Sequence, residues 1–384
     1  MLKELNKDFK ETAIGLIPED WEVKKLREVS KNRNSSLSIN NLLDNNGKYV
    51  LYGAGGFLKR IDFYEEDEKY ISIIKDGAGV GRVFLCDEFS SILGTMSYIK
   101  PINNNISLHY LYFLYQTINF EKYITGSTIP HIYFSSYSLK KIPLPPLPEQ
   151  QKIAEILTAW DIAINTSKLA LEELIKQKKW LAYNLLFNRN ADNLLPLSKL
   201  LIRVKNSFTP DPQKYYKQIG IRSHTKGIFY KEEVSGLSLG NKSVFHIEPD
   251  CFILNIVFAW EHAIAKTTLN EVGMIASHRF PMFKPVTDKL DLDYLLHFFK
   301  SQKGKDLLGL ASPGGAGRNK TLGQSEFLKL KIPVPNIEEQ KIIAEVLDKA
   351  DEEILLYKEK ITNLQLQKKG LMQQLLTGKV RVKI

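Results

Sequence analysis

The sequence has few of the residues from which covalent cross-links or metal sites are built. Its 384 residues include two cysteines, Cys86 and Cys251, and neither belongs to a Cys-x-x-Cys pair. We therefore expect two buried, reduced thiols rather than a disulfide or a zinc site. The seven histidines are scattered through different segments without the spacing of metal ligands. No metal site is predicted in this chain.

Long apolar runs are also missing. No stretch of about 18 apolar residues occurs, and the first residues, MLKELNKDFKETAIGL, lack the apolar core of a secretion signal. The sequence thus predicts a soluble, cytoplasmic protein. The 53 lysines and arginines outnumber the 43 aspartates and glutamates, and the formal charge of +10 favours acidic partners. Charge alone leaves open whether the partner is a nucleic acid.

Signatures of catalysis are absent as well. The sequence has no G-x-x-x-x-G-K-[ST] loop, and DGAGVGR (76–82) lacks the full G-x-G-x-x-G spacing, so we interpret it as a turn between two strands. No tetrad like the Asn-Pro-Pro-Tyr of amino-methyltransferases occurs, since Pro145 and Pro146 are followed by Leu-Pro. No nucleophile, base and orienting acid stand out together. We therefore predict a chain without catalytic activity or a cofactor of its own.

One segment of the sequence occurs twice. Residues 141–190 open with KIPLPPLPEQQKIAEIL, residues 331–380 open with KIPVPNIEEQKIIAEVL, and the two segments are identical at 20 of 50 positions without a gap. The prolines disfavour helix in the residues that precede them. The early glutamates suit the positive end of a helix dipole. Each copy therefore predicts extended chain that gives way to a helix at about Glu149 and Glu339.

Both predicted helices carry apolar residues at spacings that alternate between four and three. This alternation is typical of a coiled-coil seam rather than of the broader stripe of a globular helix. Helices of nearly 40 residues are about 55 to 60 Å long, which suits a spacer; the alternative, a helix on its own domain's core, stays open. Lysines at two equivalent seam positions are expected to reach outward. The seam residues are Ile153, Leu157, Trp160, Ile164, Ser167, Leu171, Leu174, Lys178, Leu181 and Leu185, and then Ile343, Leu347, Ala350, Ile354, Tyr357, Ile361, Leu364, Lys368, Leu371 and Leu375.

The segments before the helices repeat more weakly. YIKPINNNISLHYLYFLYQ (98–116) aligns with MFKPVTDKLDLDYLLHFFK (282–300) at an offset of 184, whereas the helices repeat at an offset of 190. The second copy has therefore gained about six residues, which we assign to the glycine-rich loop SPGGAGRNK (312–320). Upstream, YISIIKDGAGVGRVFL and CFILNIVFAWEHAIAKTTL are β-rich runs with turns.

These observations predict an α+β fold with a pseudo-twofold internal repeat. The first globular domain would occupy residues 1–140 and the second residues 191–330. Long helical spacers would follow them at residues 141–190 and 331–384. The chain thus reads as globular domain, long helix, globular domain, long helix.

The repeated motifs resemble those of the specificity subunit of type I restriction-modification systems. The resemblance rests on the two proline-led helix starts and on IGLIPEDWEVKKLREV (14–29), GSTIPHIYFSS (126–136) and KKGLMQQLLTGKVRV (368–382). It implies two target-recognition domains separated by an antiparallel coiled coil, each reading one half of a split DNA sequence. The motif order is also circular, so the two chain ends are expected to meet.

The same resemblance implies partners that do the chemistry. Two methyltransferase subunits would bind S-adenosylmethionine, and restriction and translocase subunits would use ATP and magnesium. This chain would bind double-stranded DNA, no membrane, and no cofactor. A rigid rod between two readers would turn a fixed distance into a fixed number of unread base pairs.

Candidate DNA contacts are basic or polar side chains in loops, because lysine and arginine bind phosphates and a few donors read base edges. The alternative for each is a solvated surface charge. The glycine-rich loop is the favoured reader of the second half-site, since glycine allows close approach to a groove. The candidates are Lys59, Arg60, Lys75, Arg82 and His131 in the first domain, and Arg222, His224, Lys226, Arg318 and Lys320 in the second.

A different class of function remains open at this point. The chain could be a coiled-coil scaffold that spaces two protein-binding domains, with its charge incidental. Such a scaffold would not bind DNA with an affinity that falls steeply with salt, as phosphate contacts require. A nuclease or methyltransferase acting alone is disfavoured because the catalytic tetrad is missing.

Overall fold

The structure is a computed structural model that describes residues 9–42, 47–187, 194–240, 243–286, 288–314 and 320–384. Its internal contacts divide the chain into two compact units. Unit 1 comprises Met1–Lys168 and Glu359–Ile384, and unit 2 comprises Leu169–Lys358. Each of the two long helices therefore contributes one half to each unit.

Unit 1 begins with short strands and leads into the first long helix. Its elements are β1 (Phe9–Thr12), β2 (Gly15–Pro18), β3 (Glu22–Lys25), α1 (Leu26–Val29), β4 (Ser30–Asn34), β5 (Tyr49–Gly53), β6 (Gly56–Ile61), β7 (Tyr70–Ile74), β8 (Val83–Cys86), β9 (Ser90–Ile92), β10 (Met96–Pro101), α2 (Leu108–Gln116), α3 (Phe134–Tyr137), β11 (Lys141–Leu144) and α4 (Leu147–Phe187), with 3-10 helices at Ile39–Asn41 and Phe120–Tyr123.

Unit 2 repeats much of this order and leads into the second long helix. Its elements are β12 (Leu194–Pro196), β13 (Leu201–Val204), β14 (Ser207–Phe208), β15 (Tyr215–Ile221), β16 (Ile228–Ser235), α5 (Gly236–Leu239), β17 (Val244–His246), β18 (Phe252–Leu254), β19 (Ile264–Lys266), β20 (Ile275–Ser277), β21 (Met282–Pro285), α6 (Leu292–Lys300), α7 (Gln302–Leu310), α8 (Gln324–Lys329), β22 (Lys331–Pro333) and α9 (Ile337–Leu375), with 3-10 helices at Leu197–Lys199, Ala259–Glu261 and Leu269–Glu271.

An antiparallel sheet with the strand order β4-β10-β7-β8 forms the centre of unit 1. Every residue of β7 is buried, and Trp21, Tyr110 and Phe113 belong to the core that packs against the sheet. β7 pairs with β8. The prediction that DGAGVGR is a turn between two strands is therefore confirmed.

The central sheet of unit 2 has the equivalent order, β13-β21-β18-β19. Its core is aromatic: Phe252, Phe283 and Phe299 all lie within 6 Å of the ring of Phe327, centroid to centroid. Large aromatic rings bury much apolar area per residue and so dominate the stability of such a core. The predicted α+β fold with an internal repeat is confirmed by these matching sheets.

A second sheet in each unit contains a hairpin whose first strand pairs in parallel with a later strand. In unit 1 the order is β6-β5-β9, and in unit 2 the strands β16-β15-β20 take the same places within a larger sheet. Both hairpins carry a register shift at the same point. The hairpin of unit 1 closes at the Gly53–Gly56 pair, whereas that of unit 2 extends to the Ile221–Ile228 pair.

The start of each long helix follows the predicted change from extended chain to helix. The proline-rich segments form β11 and β22, and the helices begin at Leu147 and Ile337. These starts lie two residues before the predicted glutamates. Pro148 is tolerated there because the first turn of a helix has no backbone partner for its N–H.

Gln150 and Gln340, the glutamines of the repeated motif, are buried and make equivalent hydrogen bonds. The side-chain oxygen of Gln150 accepts from the backbone N–H of Ser107 at 2.8 Å, and that of Gln340 accepts from Asp291 at 2.8 Å. Ser107 and Asp291 are the N-caps of α2 and α6. The repeated glutamine therefore fixes the long helix to the shorter helix of its own unit.

All the predicted seam residues are buried or half-buried. Ile153 and Leu157 join the main core of unit 1, together with Leu375 of α9, and Ile343 and Leu347 join the core of unit 2. The two long helices therefore pack together inside each unit. The N-terminal part of each long helix also lies on the core of its unit, so the alternative left open from the sequence describes this part of each helix.

The two seam lysines do not reach outward, and that expectation was wrong. Lys368 pairs with Asp161 within unit 1, and Lys178 pairs with Asp351 within unit 2. Each aspartate lies on the other long helix, so the ammonium group finds a counter-charge without leaving the seam. Because the residues of the two pairs are repeat equivalents, the same ion pair is built twice.

The described parts of the N-terminal and C-terminal segments meet in unit 1, as expected from the circular order of the motifs. Arg381 forms two bonds to Asp20, both of 2.9 Å, and binds Glu149 at 2.7 and 2.8 Å. Glu149 is fully buried and also accepts from the indole N–H of Trp21 at 2.9 Å. The first residue of the repeated Glu-Gln motif thus holds the C-terminal segment against the N-terminal one.

Both cysteines are free and buried, as predicted, and burial raises the pKa of each thiol to about 11.

The additional residues of the second copy are preceded by α7, a helix that the sequence analysis did not predict. Unit 1 has only the 3-10 helix Phe120–Tyr123 at this place. Part of the predicted insertion, residues 315–319, lies outside the described residues.

Candidate nucleic-acid interface

The loop after β7 is held by two other backbone segments of unit 1. The N–H of Lys75 donates to the carbonyl of Thr95 at 2.9 Å, and the carbonyl of Lys75 accepts from Ile132 at 2.9 Å. The N–H of Gly77 donates to the carbonyl of Pro130 at 2.8 Å. These bonds bring the glycine loop, the turn before β10 and the segment before α3 to one place.

Three of the five candidates in unit 1 lie at this place. Lys75 forms an ion pair with Asp76 at 3.2 Å, so its charge is partly neutralised. Arg82 is exposed at the end of the glycine loop. The ring of His131 packs edge-on against Tyr133, with centroids 4.9 Å apart. This cluster brings an ammonium, a guanidinium and an imidazole group to one part of unit 1.

Lys59 and Arg60 lie elsewhere, on β6 in the second sheet of unit 1. The guanidinium of Arg60 donates to the carbonyl of Lys48 at 2.7 Å, which commits part of its donor capacity within the protein. The structure therefore divides the five candidates into a loop cluster and a strand pair.

The same backbone frame occurs in unit 2. The N–H of Ile256 donates to the carbonyl of Arg279 at 3.0 Å, and the carbonyl of Ile256 accepts from Leu322 at 2.8 Å. Arg279 and Leu322 lie at the repeat offsets of 184 and 190 from Thr95 and Ile132, and Ile256 makes the two backbone bonds that Lys75 makes in unit 1. Both units thus hold the loop after the central strand in one way.

The extended hairpin tip of unit 2 docks on the loop that this frame holds. The N–H of His224 donates to the carbonyl of Glu261 at 2.7 Å, and the N–H of Thr225 donates to that of His262 at 3.0 Å. His224 and Thr225 both have positive φ, of 60° and 57°. A β-branched residue rarely adopts this conformation, and such strain is found mainly at functional sites.

Four candidates, His224 among them, lie in or beside this hairpin tip, and one lies outside the described residues. Arg222 and Lys226 are exposed, and the guanidinium of Arg222 lies 5.1 Å from the ring centre of Phe229. The ammonium group of Lys320 lies 5.6 Å from the ring centre of Trp260 and so joins the same surface. Arg318 belongs to residues 315–319, outside the described part of the chain.

The structure adds two basic residues that the sequence analysis missed. Lys231 and Arg279 are exposed and line a cleft of about 370 Å³ between the hairpin and the loop after β18. For Arg279 the repeat gave no signal, because the offset of 184 aligns it with Thr95, which is uncharged. For Lys231 the hairpin extension shifts the alignment, so only strand pairing reveals its counterpart.

Neither a metal-binding cluster nor a membrane-spanning helix occurs in the described parts of the chain. Within residues 9–384, leaving out the gaps named above, His, Cys, Asp and Glu side chains form no cluster of three or more that could bind a metal ion. None of the helices in those same segments is long and apolar enough to cross a bilayer.

Comparison with known proteins places these features in one family. Residues 18–177 and 226–366 match the profile of the type I restriction modification DNA specificity domain. The specificity subunit of the type I restriction enzyme MjaVIII from Methanocaldococcus jannaschii is 26% identical over 98% of this chain and 96% of its own length.

Solved structures show the same fold at lower sequence identity. The S subunit of a type I restriction-modification system from M. genitalium superposes with a TM-score of 0.63 at 15% identity, with 97% of each chain covered. A chain from a study of complex assembly and conformational transition in the type I system gives a TM-score of 0.55 at 12% identity, over 95% of this chain and 99% of that one.

Proposed function

Because this chain belongs to the type I restriction modification DNA specificity family, we propose that it is the DNA-reading, non-catalytic subunit of a type I complex. Each unit reads one half of a bipartite site through the loops around its central sheet. The long helices set a fixed spacing between the two half-sites. A fixed spacing in the protein corresponds to a fixed number of unread base pairs in the duplex.

The duplicated backbone frame is the observation that carries this proposal. Lys75 and Ile256 make the same two hydrogen bonds in their units, yet the side chains displayed around them differ. A shared frame with different displayed side chains suits two readers of different sequences, because base edges are distinguished by the donors and acceptors that face them. The exposed basic residues Arg82, Arg222 and Lys226 supply phosphate contacts.

The proposal includes partner subunits that carry out the chemistry. Two methyltransferase subunits bind S-adenosylmethionine and methylate adenine, and restriction subunits use ATP and magnesium. The ion pairs Lys368–Asp161 and Lys178–Asp351 support two equivalent partners, because equivalent residues of the repeat build the same pair in both units. An internal twofold repeat suits two identical partners.

Footprinting of the reconstituted complex with its methyltransferase partner tests the proposal. We expect protection of one bipartite sequence, with two protected segments separated by a constant number of unprotected base pairs. Binding should weaken by roughly 10³-fold or more between 50 and 200 mM salt, because several phosphates are contacted. Binding that is indifferent to DNA sequence, or that changes little with salt, would favour a protein-binding scaffold instead.

A further inference from the structure

A cleft in unit 2 combines cationic, polar and aromatic side chains. It lies where the β15–β16 hairpin, the loop after β18 and the turn before β21 meet, and we call it the unit 2 cleft. Its volume is about 370 Å³. It is lined by Gly220, Ile221, Ser223, Phe229, Lys231, Asn255, Val257, Phe258, Ser277, Arg279 and Phe280.

The two cations of the unit 2 cleft are available for a ligand. Lys231 and Arg279 are exposed, and within the described residues neither side chain forms a salt bridge or a hydrogen bond. The backbone of Arg279 is nevertheless fixed, since its carbonyl accepts from Ile256 at 3.0 Å. A free guanidinium on a fixed backbone is a suitable arrangement for directional recognition.

The strand register identifies the counterpart of Lys231 in unit 1. Lys231 follows Tyr230, which pairs with Ile219 next to the register shift of the hairpin. Leu58 follows Phe57, which pairs with Tyr52 next to the register shift of the unit 1 hairpin; this shift skips Leu58 alone on β6, whereas the shift in unit 2 skips Lys231 and Glu232 on β16. Leu58 therefore occupies the place of Lys231, and a charged side chain is not required there by the fold.

The counterpart of Arg279 is also uncharged. The carbonyl of Thr95 accepts from Lys75, just as that of Arg279 accepts from Ile256. Thr95 is exposed, so the same exposed position carries a hydroxyl in unit 1 and a guanidinium in unit 2. Since the backbone frame is common to both units, the difference between these side chains points to what each unit binds rather than to stability.

We propose that Arg279 reads a guanine in the half-site bound by unit 2, and that Lys231 binds a neighbouring phosphate. This inference rests on the proposed function. The planar guanidinium can donate two parallel hydrogen bonds to the O6 and N7 acceptors of guanine in the major groove, whereas an ammonium group on a flexible stem suits a phosphate. Unit 1, with Thr95 and Leu58 at these places, reads its half-site without this guanine contact.

Two substitutions test the proposal, and each introduces the residue that unit 1 carries. Arg279→Thr should relax the preference for one G·C pair in a single half-site by roughly 10- to 100-fold, with the other half-site unchanged. Lys231→Leu should weaken binding to all sequences alike and lower the slope of log K against log salt by about 1, with the motif unchanged. Lys329→Thr, which removes one exposed charge on α8 outside the cleft, should do neither.

The readout is competitive binding by the complex with its methyltransferase partner, using DNA variants with one base pair changed at a time. Thermal melting of each variant reports whether it is folded. If the wild-type complex reads a split site, either of two results for Arg279→Thr would overturn the guanine assignment alone. These results are a uniform loss of affinity for all sequences and an unchanged preference at every base pair. A wild-type complex that reads no split site would overturn the proposed function itself and this inference with it.

Discussion

Lys368 donates a hydrogen bond of 2.6 Å to Asp161 across the two long helices of unit 1. Only 11% of the lysine side chain is exposed, and its ammonium group lies 4.9 Å from the ring centre of Phe113. The repeat equivalents Lys178 and Asp351 form the corresponding pair in unit 2. A polar pair within an apolar seam is a known means of fixing helix register.

A double-mutant cycle on this pair should show a favourable coupling. We expect Asp161→Asn and Lys368→Met to be coupled by about 1 kcal/mol in the free energy of unfolding, a modest value because Asp161 is partly exposed. Urea unfolding of both single variants and the double variant measures it. Lys369→Met, at an exposed neighbouring position, serves as the control. Strictly additive effects would show that the pair contributes nothing to stability.

Replacing either buried glutamine should destabilise its unit to a similar extent. Gln150→Leu leaves the N–H of Ser107 without its acceptor and two carbonyl groups without a donor. Unsatisfied buried polar groups cost about 1–3 kcal/mol each, so we expect a loss of about 3 kcal/mol, and the same for Gln340→Leu. Chemical unfolding followed by circular dichroism measures the change. Gln151→Leu, at an exposed position, should have little effect; equal losses in all three would refute the specific role.

Removing Arg381 should leave the buried carboxylate of Glu149 without its counter-charge. The hydrogen bonds to Glu149 raise the pKa of Arg381, which keeps the guanidinium charged. We expect Arg381→Ala to lower the free energy of unfolding by about 3 kcal/mol, at the low end for a broken buried pair because the arginine is partly exposed. Adding Glu149→Gln should recover part of the loss, since it removes the unpaired charge. No recovery in the double variant would argue against this explanation.

The stability of unit 2 should depend on pH through His297. Burial lowers the pKa of this imidazole, although its 2.8 Å contact with Asp348 opposes the shift. Because the folded-state pKa lies below the ordinary value near 6.5, the folded protein binds fewer protons than the unfolded chain. Stability from this group is therefore present above about pH 6.5 and is lost as the pH falls below it.

His297→Phe isolates this contribution, because unit 1 carries Phe113 at the equivalent position. The melting temperature of the variant should fall less than that of the wild type between pH 7.5 and pH 5.5. Differential scanning calorimetry at several pH values provides the comparison. Parallel curves for the two proteins would contradict the assignment.

The sequence was sufficient for features that local patterns encode. The four-three spacing predicted both long helices, and prolines followed by glutamates predicted their starts to within two residues, because helix periodicity and proline stereochemistry act over a few residues. The glycine loop at residues 76–82 was predicted as a turn for the same reason. The repeat then extended these local predictions to the fold of both units.

Features that depend on distant partners were not predicted. The pairing of Lys368 with Asp161 joins residues far apart in the chain, and so does the bond from Gln150 to the N-cap of α2. Arg279 was missed because its setting is created by three separate segments that meet only in the folded unit. Local propensity does not determine which segments meet, since tertiary packing decides it.

The central claim is that one chain reads two half-sites at a fixed spacing. Long-read methylome sequencing of a host that carries this chain with its cognate methyltransferase tests it most directly. The account predicts a single adenine-methylated motif with two specific segments and a constant number of unspecified base pairs between them. A continuous motif, a variable spacing, or no methylation that depends on this chain would contradict it.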